Sequence, residues 1–371
     1  MNTTLQLHHA GQSIWYDNIQ RSLLQNGTLA GMIARGEIRG VTSNPSIFMN
    51  AVTKSTDYDA SLAPLARAGL TPEQIFFALA IEDIQAAADL FLPLYQESQR
   101  GDGYVSLEVS PYLAHDTAAT LAQAQALWGR VDRPNLMIKI PATRAGLPAI
   151  TSAIAAGLNI NVTLIFSLER YAAVMDAYAA GLAQRLTQDL PIDHIASVAS
   201  FFVSRIDTLV DSRLGQIIAA GEPSAAQAAA LQGKAAIASA RLAYADFKTF
   251  IATERWQKLA AVGAQLQRPL WASTSTKNPA YRDVLYVEEL IGPHTVNTVP
   301  PQTLLAFLDH GLVRPTSLEE GVDDARHALA ELEGLGINMG EVTGQLEAEG
   351  VKSFAEAFTV LLEGIEGRLQ G

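Results

Sequence analysis

Short apolar runs of strand length recur along this chain, each followed by a longer segment whose apolar residues repeat at helical spacing. Eight such runs stand out: Ser13 to Asp17, Ile38 to Ser43, Tyr104 to Val109, Leu136 to Pro141, Leu158 to Phe166, Ile195 to Val203, Pro269 to Thr274 and His294 to Val299. They are apolar at most positions rather than at alternate ones, which predicts strands buried on both faces, as in a parallel sheet covered by helices. Eight units favour a closed (β/α)8 TIM barrel with additional helices over an open doubly wound sheet. A dinucleotide-binding sheet would also need a Gly-x-Gly-x-x-Gly after its first strand, and none follows here.

Helix signals fill the intervals. Thr71-Pro-Glu-Gln74 supplies an N-cap, a Pro at the first helical position and an acid in the first turn, and so opens a helix toward Tyr95. Ser224-Ala-Ala-Gln227 has capping-box spacing and predicts a long Ala-rich helical stretch to about Val262. Two segments exceed a minimal barrel unit, roughly Met49 to Gly101 and Gly221 to Gln267, and both read as helical insertions. No linker rich in Pro, Gly or Ser marks a second domain. Residues 1–371 are therefore expected to form one barrel domain, with a helical tail from about Pro315 that ends in the amphipathic stretch Val351 to Leu362.

Composition narrows the function classes. Apolar residues make up 49% of the chain and the mean hydropathy is +0.13, which suits a globular protein and argues against disorder. No apolar run approaches the roughly 18 residues of a membrane span, and Met1-Asn-Thr-Thr-Leu-Gln lacks the basic and apolar regions of a signal peptide, so a cytoplasmic protein with no membrane partner is expected. The absence of cysteine rules out disulfides, thiolate nucleophiles and Cys-based metal sites. Seven scattered His include no His-Glu-x-x-His, so no metal is expected; His8 and His9 read as solvated, and His115-Asp116 as a helix-start pair. A net charge of −12 disfavours a nucleic-acid partner, which would need clustered Lys and Arg.

The candidate chemistry begins at Lys139, alone among apolar neighbours in Asn135-Leu-Met-Ile-Lys-Ile-Pro-Ala-Thr143. Desolvating an ammonium is costly, and the usual relief is loss of the proton. A neutral amine is a nucleophile that forms a Schiff base with a carbonyl substrate. The alternative is a lysine whose head reaches solvent or pairs with an acid. Other polar residues also fall at predicted strand ends, where barrel active sites lie. Asp17 closes the first run, Thr42-Ser-Asn-Pro45 the second, and Glu108 interrupts the third; Thr163, Ser200 with Arg205, and Lys277 follow on the fifth, sixth and seventh. Each has a plainer reading: Asp17 as a helix cap, Asn44 as a turn residue, Glu108 as a buried ion-pair partner, Arg205 paired with Asp207 on the surface. Two carboxylates, an amine and several hydrogen-bonding groups at one mouth are more than structural needs explain.

These residues carry a family resemblance. The segments Trp15-Tyr-Asp-Asn-Ile-Gln-Arg21, Thr42-Ser-Asn-Pro-Ser46, Val105-Ser-Leu-Glu-Val109, Ile138-Lys-Ile-Pro-Ala-Thr143, Ile160-Asn-Val-Thr-Leu-Ile-Phe-Ser167 and Ser200-Phe-Phe-Val-Ser-Arg-Ile-Asp207 together resemble the transaldolases, in order and each on its own strand, to about Gly311. The resemblance implies a class I mechanism of the pentose phosphate pathway that needs no cofactor. Lys139 would form the Schiff base, Asp17 would be the acid/base at the C4 hydroxyl of the ketose, and Glu108 would move protons through a water that Thr163 helps to hold. Asn44 and Ser200 would bind the dihydroxyacetone part. Arg205 would bind the phosphate, with Lys277 as second ligand where many members have an Arg nearer the seventh strand. Phe201 and Ser204 also depart from the family's commonest Pro and Gly. The implied ligands are small-molecule sugar phosphates: sedoheptulose 7-phosphate or fructose 6-phosphate as donor, glyceraldehyde 3-phosphate or erythrose 4-phosphate as acceptor. The oligomeric state is open between monomer and homodimer. The nearest alternative is a fructose-6-phosphate aldolase-type lyase, a shorter relative with Gln in place of Glu108 and Tyr in place of Phe202. A pyridoxal-phosphate barrel enzyme and a non-catalytic sugar-phosphate binder are the remaining alternatives.

Overall fold

In a computed structural model, which describes residues 2–221 and 223–369, eight parallel strands close into a barrel in sequence order. They are β1 (Gln12–Asp17), β2 (Gly40–Thr42), β3 (Tyr104–Glu108), β4 (Leu136–Pro141), β5 (Ile160–Ile165), β6 (Ser197–Phe202), β7 (Gln267–Ala272) and β8 (Thr295–Val299). The expected (β/α)8 TIM barrel with extra helices is what forms. Several strand ends differ from the sequence reading, which drew apolar flanks into the strands. Ile38, Leu158 and Ile195 are fully or nearly fully buried yet lie in the loops that feed β2, β5 and β6, so burial in the core does not by itself mark strand pairing. Conversely, β7 starts two residues early, at Gln267 and Arg268, whose polar side chains are tied down at the barrel floor.

That floor is polar. Arg268 donates to Ser13 Oγ, to the Thr295 carbonyl and to Asp102 Oδ1, at 2.7, 2.7 and 3.2 Å, while Arg39 Nε donates to Asp102 Oδ2 at 2.6 Å. Burial pushes the Asp102 carboxyl up, but Arg268, Arg39 and the hydrogen bond from Ser13 outweigh it and hold the group below its ordinary value. His8, expected to be solvated, packs partly buried against this cluster, and burial together with Arg39 lowers its pKa. Above the floor the Trp15 indole fills the barrel. Only glycine fits opposite it at position 40, where an added Cβ would sit 2.7 Å from the ring.

The first insertion comprises the helices Pro45–Thr53, Asp59–Arg67 and Pro72–Glu97. Thr71 caps the last of these through the reciprocal bonds of a capping box with Gln74, a device that stabilises a helix start by about 1 kcal/mol. The insertion is held to the barrel by Arg21, whose guanidinium reaches Asp83 and Glu82, each at 2.8 Å, and stacks 4.7 Å from the Tyr58 ring. The second insertion differs from the expectation of one long helix. It breaks into Ala225–Leu231, Ala235–Ile251 and Glu254–Ala260. Gly233 at φ +73° turns the chain after the first piece, and Thr253 takes extended torsions to cap the third. Ser224 has helical torsions instead of the extended ones of a capping residue. Asp116 does cap the helix Thr117–Val131, in line with the helix-start reading of His115-Asp116. No helix among the described residues is long and apolar enough to cross a membrane.

The tail forms the helices Val322–Gly334 and Met339–Leu369. The C-terminal helix lies across the mouth of the barrel. Its Phe358 packs edge-on against Phe76 and Tyr112, Glu347 pairs with Arg170 at 3.3 Å, and Arg368 clasps Asp59 and the carbonyls of Thr53 and Ser55.

Because Asp102 is buried between the two part-buried guanidiniums of Arg39 and Arg268, Asp102→Ala should destabilise the fold by up to about 3 kcal/mol, read by urea unfolding at neutral pH. The sign with pH follows from its lowered pKa. The stabilisation is present above the ordinary carboxylate value of 3.8 and is lost as pH falls below it, so wild type and Asp102→Ala should converge in stability at strongly acidic pH.

Candidate active site

Barrel register sets the geometry at the C-terminal ends of the strands. Asp17 pairs with Thr42 across β1 and β2, and Glu108 with Lys139 across β3 and β4. Adjacent positions in parallel strands point to the same face, so these side chains share the barrel interior. Between β5 and β6 the register shifts between Val162 and Ile165, and Leu164 adopts φ +58°, a bulge that turns the strand just after Thr163.

Lys139 is 5% exposed and Glu108 7% exposed. The Lys139 ammonium donates to the Ser43 carbonyl at 2.8 Å and stands 3.4 Å from Glu108 Oε2. The expected plain alternative, a lysine that reaches solvent, is excluded by this burial; the ion pair with an acid is present, and it lies inside the barrel mouth. Burial raises the pKa of Glu108, and the Lys139 charge works against that rise. Asp17 behaves alike: burial pushes its carboxyl up, while Lys139, the hydrogen bond from Thr42 and Lys277 pull it back. Asp17 caps no helix. Its Oδ1 accepts from Thr42 Oγ1 at 2.6 Å, and the helix that follows starts only at Arg21.

A cavity of about 210 Å3 opens onto these groups, lined by Asp17, Asn44, Lys139, Thr163, Ser200, Arg205 and Lys277. The eighth sequence candidate, Glu108, stands behind Lys139. Asn44 combines both of its readings: its side chain caps the helix Pro45–Thr53 by accepting from Ile47 N, and the residue still lines the cavity. Ser200 donates to Asn161 Oδ1 at 2.7 Å, and Asn161 donates to Ser106 Oγ at 3.0 Å, a chain that crosses the barrel interior and leaves the Ser200 oxygen free to accept. Thr163 Oγ1 and Glu108 Oε2 are buried and have no hydrogen-bond partner among the described residues. Polar atoms held in that way are suited to a substrate or a bridging water.

At the rim, Arg205 does not pair with Asp207. Asp207 is buried and accepts from Ala236 N and the Tyr286 hydroxyl at 2.8 and 2.7 Å, and its pKa is pushed to about 6 by burial. The Arg205 guanidinium lies over the Phe202 ring at 5.4 Å, half-buried, with no ion pair among the described residues. Lys277 is more exposed, with its ammonium on Ser275 Oγ at 2.6 Å, and its pKa is lowered by burial and by the charge of Arg205. Two cations beside one cavity in a strongly acidic chain make a local anion site.

Residues outside the sequence-based set also reach the cavity. Thr42 and Thr298 contribute hydroxyls from β2 and β8. Thr42 stood inside a quoted motif, whereas Thr298 carried no signal beyond being a hydroxyl in an apolar run. Phe354 of the C-terminal helix, 5% exposed, forms part of the wall from above. Its tail position, more than 50 residues beyond the last strand, kept it from being paired with the barrel.

A family model described as Transaldolase/Fructose-6-phosphate aldolase matches residues 14–365 and therefore includes the tail that the motifs left unassigned. The chain is 50% identical over 363 residues to a "Transaldolase" of Parafrankia sp. (strain EAN1pec), spanning 98% of this chain and 97% of the relative. It is 49% identical over 364 residues to a "Transaldolase" of Thermobifida fusca (strain YX), with 98% and 97% covered. With the "Transaldolase 2" of Nostoc sp. (strain PCC 7120 / SAG 25.82 / UTEX 2576) it shares 44% identity over 375 residues, with 100% and 98% covered. The unpaired Arg205 generates a direct expectation. Arg205→Ala should weaken binding of a phosphate-bearing sugar by roughly 10- to 100-fold in calorimetry and leave free dihydroxyacetone unaffected; equal loss for both ligands would place the phosphate elsewhere.

Proposed function

This chain belongs to the transaldolase/fructose-6-phosphate aldolase family and is a transaldolase, and we propose that it works in the pentose phosphate pathway of the cytoplasm through a Schiff base on Lys139. Its donors are sedoheptulose 7-phosphate or fructose 6-phosphate, and its acceptors glyceraldehyde 3-phosphate or erythrose 4-phosphate. The observation that carries the reading is the buried Lys139 amine, 3.4 Å from Glu108 and in one cavity with Asp17.

The course is as follows. Lys139 gives up a proton toward Glu108 and attacks C2 of the ketose. Glu108, acting through a water shared with Thr163, then protonates the departing hydroxyl as the carbinolamine dehydrates to a protonated imine. Asp17 takes the proton of the C4 hydroxyl, the C3–C4 bond breaks, and its electron pair flows into the imine to give an enamine and a free aldose phosphate. The three-carbon fragment waits on Lys139, its hydroxyls held by Asn44 and Ser200. When the acceptor aldehyde enters, the enamine carbon attacks it, Asp17 returns its proton to the forming alkoxide, and hydrolysis of the imine releases the new ketose phosphate. Arg205, assisted by Lys277, binds the phosphate of each sugar.

Pushing up the Asp17 carboxyl by burial suits a group that must both accept and return a proton near neutral pH. Transfer in place of simple cleavage requires that water not protonate the enamine, and Phe354 with the C-terminal helix above the cavity supports that shielding. Glu108 and Phe202, where the aldolase-type relatives carry Gln and Tyr, favour transfer over the lyase reading. The domain is read as a single barrel, 1–371, with its insertions and tail.

With fructose 6-phosphate and erythrose 4-phosphate, the protein should form sedoheptulose 7-phosphate and glyceraldehyde 3-phosphate with no accumulation of free dihydroxyacetone; its stoichiometric release would favour the lyase instead. Lys139→Ala should reduce turnover to background. Asp17→Ala should lower kcat about 10²- to 10⁴-fold, and a variant at full rate would remove Asp17 from the proton path. Phe354→Ala should raise the ratio of free dihydroxyacetone to transferred product, and an unchanged ratio would deny the roof its shielding role.

A further inference from the structure

Thr42 Oγ1 makes two short contacts, one to Asp17 Oδ1 and one to Thr298 Oγ1, both at 2.6 Å. A hydroxyl has one proton to give, and an ionised carboxylate can only accept. With Asp17 ionised, Thr42 must therefore donate to Asp17, and Thr298 must donate to Thr42. The chain has one direction, from β8 through β2 to β1. Both flanking hydroxyls are buried, Thr42 at 2% and Thr298 at 4% exposure, so neither bond competes freely with solvent. Strand register holds them there: Thr298 lies beside Trp15 and Thr42 beside Asp17. The Thr298 backbone is flanked in turn by Thr274 Oγ1, whose one proton goes chiefly to Asn297 Oδ1 at 2.8 Å and which lies 3.2 Å from the Thr298 carbonyl.

Only Oδ1 of Asp17 is engaged. Oδ2 has no hydrogen bond among the described residues, so the same carboxylate keeps one anchored oxygen and one open to the cavity. We propose that Thr298 is a positioning residue for the aldol step: by donating to Thr42 it fixes Oδ1 as a permanent acceptor and leaves Oδ2 as the oxygen that exchanges a proton with the substrate. The proposal rests on the acid/base reading of Asp17 given above. When Asp17 takes the C4 proton on Oδ2, Oδ1 still accepts from Thr42, and the chain need not reorganise between the two protonation states. Removal of the terminal donor deprives Thr42 of its partner and weakens its bond to the carboxylate. That favours the protonated acid, in the same direction in which burial already pushes Asp17. The charged groups that face Asp17 from the other elements are Lys139 on β4, Glu108 on β3 and Lys277 beyond β7, and all three are left in place by the substitution.

The test is the pH profile of kcat under single-turnover conditions for wild type, Thr298→Val, Thr298→Ala and Thr298→Ser, with Tm measured for each. In both hydroxyl-free variants the acid limb should move to higher pH by about half a unit, roughly a threefold lower rate on that limb. Rates on the plateau should stay within about twofold of wild type, and Thr298→Ser should restore the wild-type limb. A limb that stays in place in Val and Ala variants that fold, or a rate lowered equally at every pH in proportion to lost Tm, overturns the proposal and leaves Thr298 a packing residue. Asp17→Asn separates the two levels. If it is inactive while the Thr298 variants leave the limb unmoved, the relay alone fails; if it keeps the wild-type rate, the acid/base reading beneath it fails.

Discussion

The site depends on one desolvated charge cluster, the Lys139 amine set among Glu108, Asp17 and the Ser43 carbonyl at the end of a closed barrel. Burial favours the neutral form of each carboxyl, and the neighbouring amine favours the charged form. In both carboxyls burial prevails, and the pKa stands above its ordinary value. Carboxyls raised in this way beside an amine suit the proton transfers that the proposed imine chemistry requires. The rest of the fold holds the cluster in place. Arg39, Arg268 and Asp102 tie the floor together by ion pairs, Trp15 is buried above them, and Phe354 of the C-terminal helix reaches the cavity at the other end.

Strand register does the positioning. The four groups proposed to handle protons, Asp17, Glu108, Lys139 and Thr163, come from four different strands, and none neighbours another in sequence. Each lies at or near the C-terminal end of its strand, and closure of the sheet brings Asp17, Lys139 and Thr163 to one cavity wall with Glu108 behind Lys139. The bulge after Thr163 and the left-handed Ser273 beyond β7 are local departures from regular strand geometry, and both sit beside the cavity. A cluster built on rigid strands, with the rim cations on loops and helix starts, would let the proposed phosphate recognition vary without disturbing the proposed reacting centre.

Much of this was legible in the chain. Continuous apolar runs marked all eight strands because parallel strands are buried on both faces, and a charged residue inside such a run, Lys139 or Glu108, stands out for the same reason. Strand ends were not legible: Ile38 and Ile195 are as apolar and as buried as their strand neighbours but lie in the loops before β2 and β6. The break at Gly233 was missed because Ala-rich sequence on both sides satisfies helical propensity, and only tertiary packing decides where the chain turns. Asn44 illustrates a false choice, since a residue can cap a helix and line a cavity together. Phe354 and Thr298 were invisible as site residues. An apolar residue in an amphipathic helix and a threonine in a strand look the same whether they face a core or a substrate.

On the proposed reading, the tail is what favours transfer over cleavage on this scaffold. Phe354 closes the cavity from a helix that is anchored at both ends, by Glu347 on Arg170 and by Arg368 on the first insertion. Both insertion and tail lie outside the minimal barrel, yet they meet above the proposed imine. The most direct measurement of the central claim is mass spectrometry of the protein after incubation with fructose 6-phosphate and sodium borohydride. A dihydroxyacetone-derived adduct reduced onto Lys139 and on no other residue is expected. An unmodified Lys139, or an adduct on a different lysine such as Lys277, would contradict it.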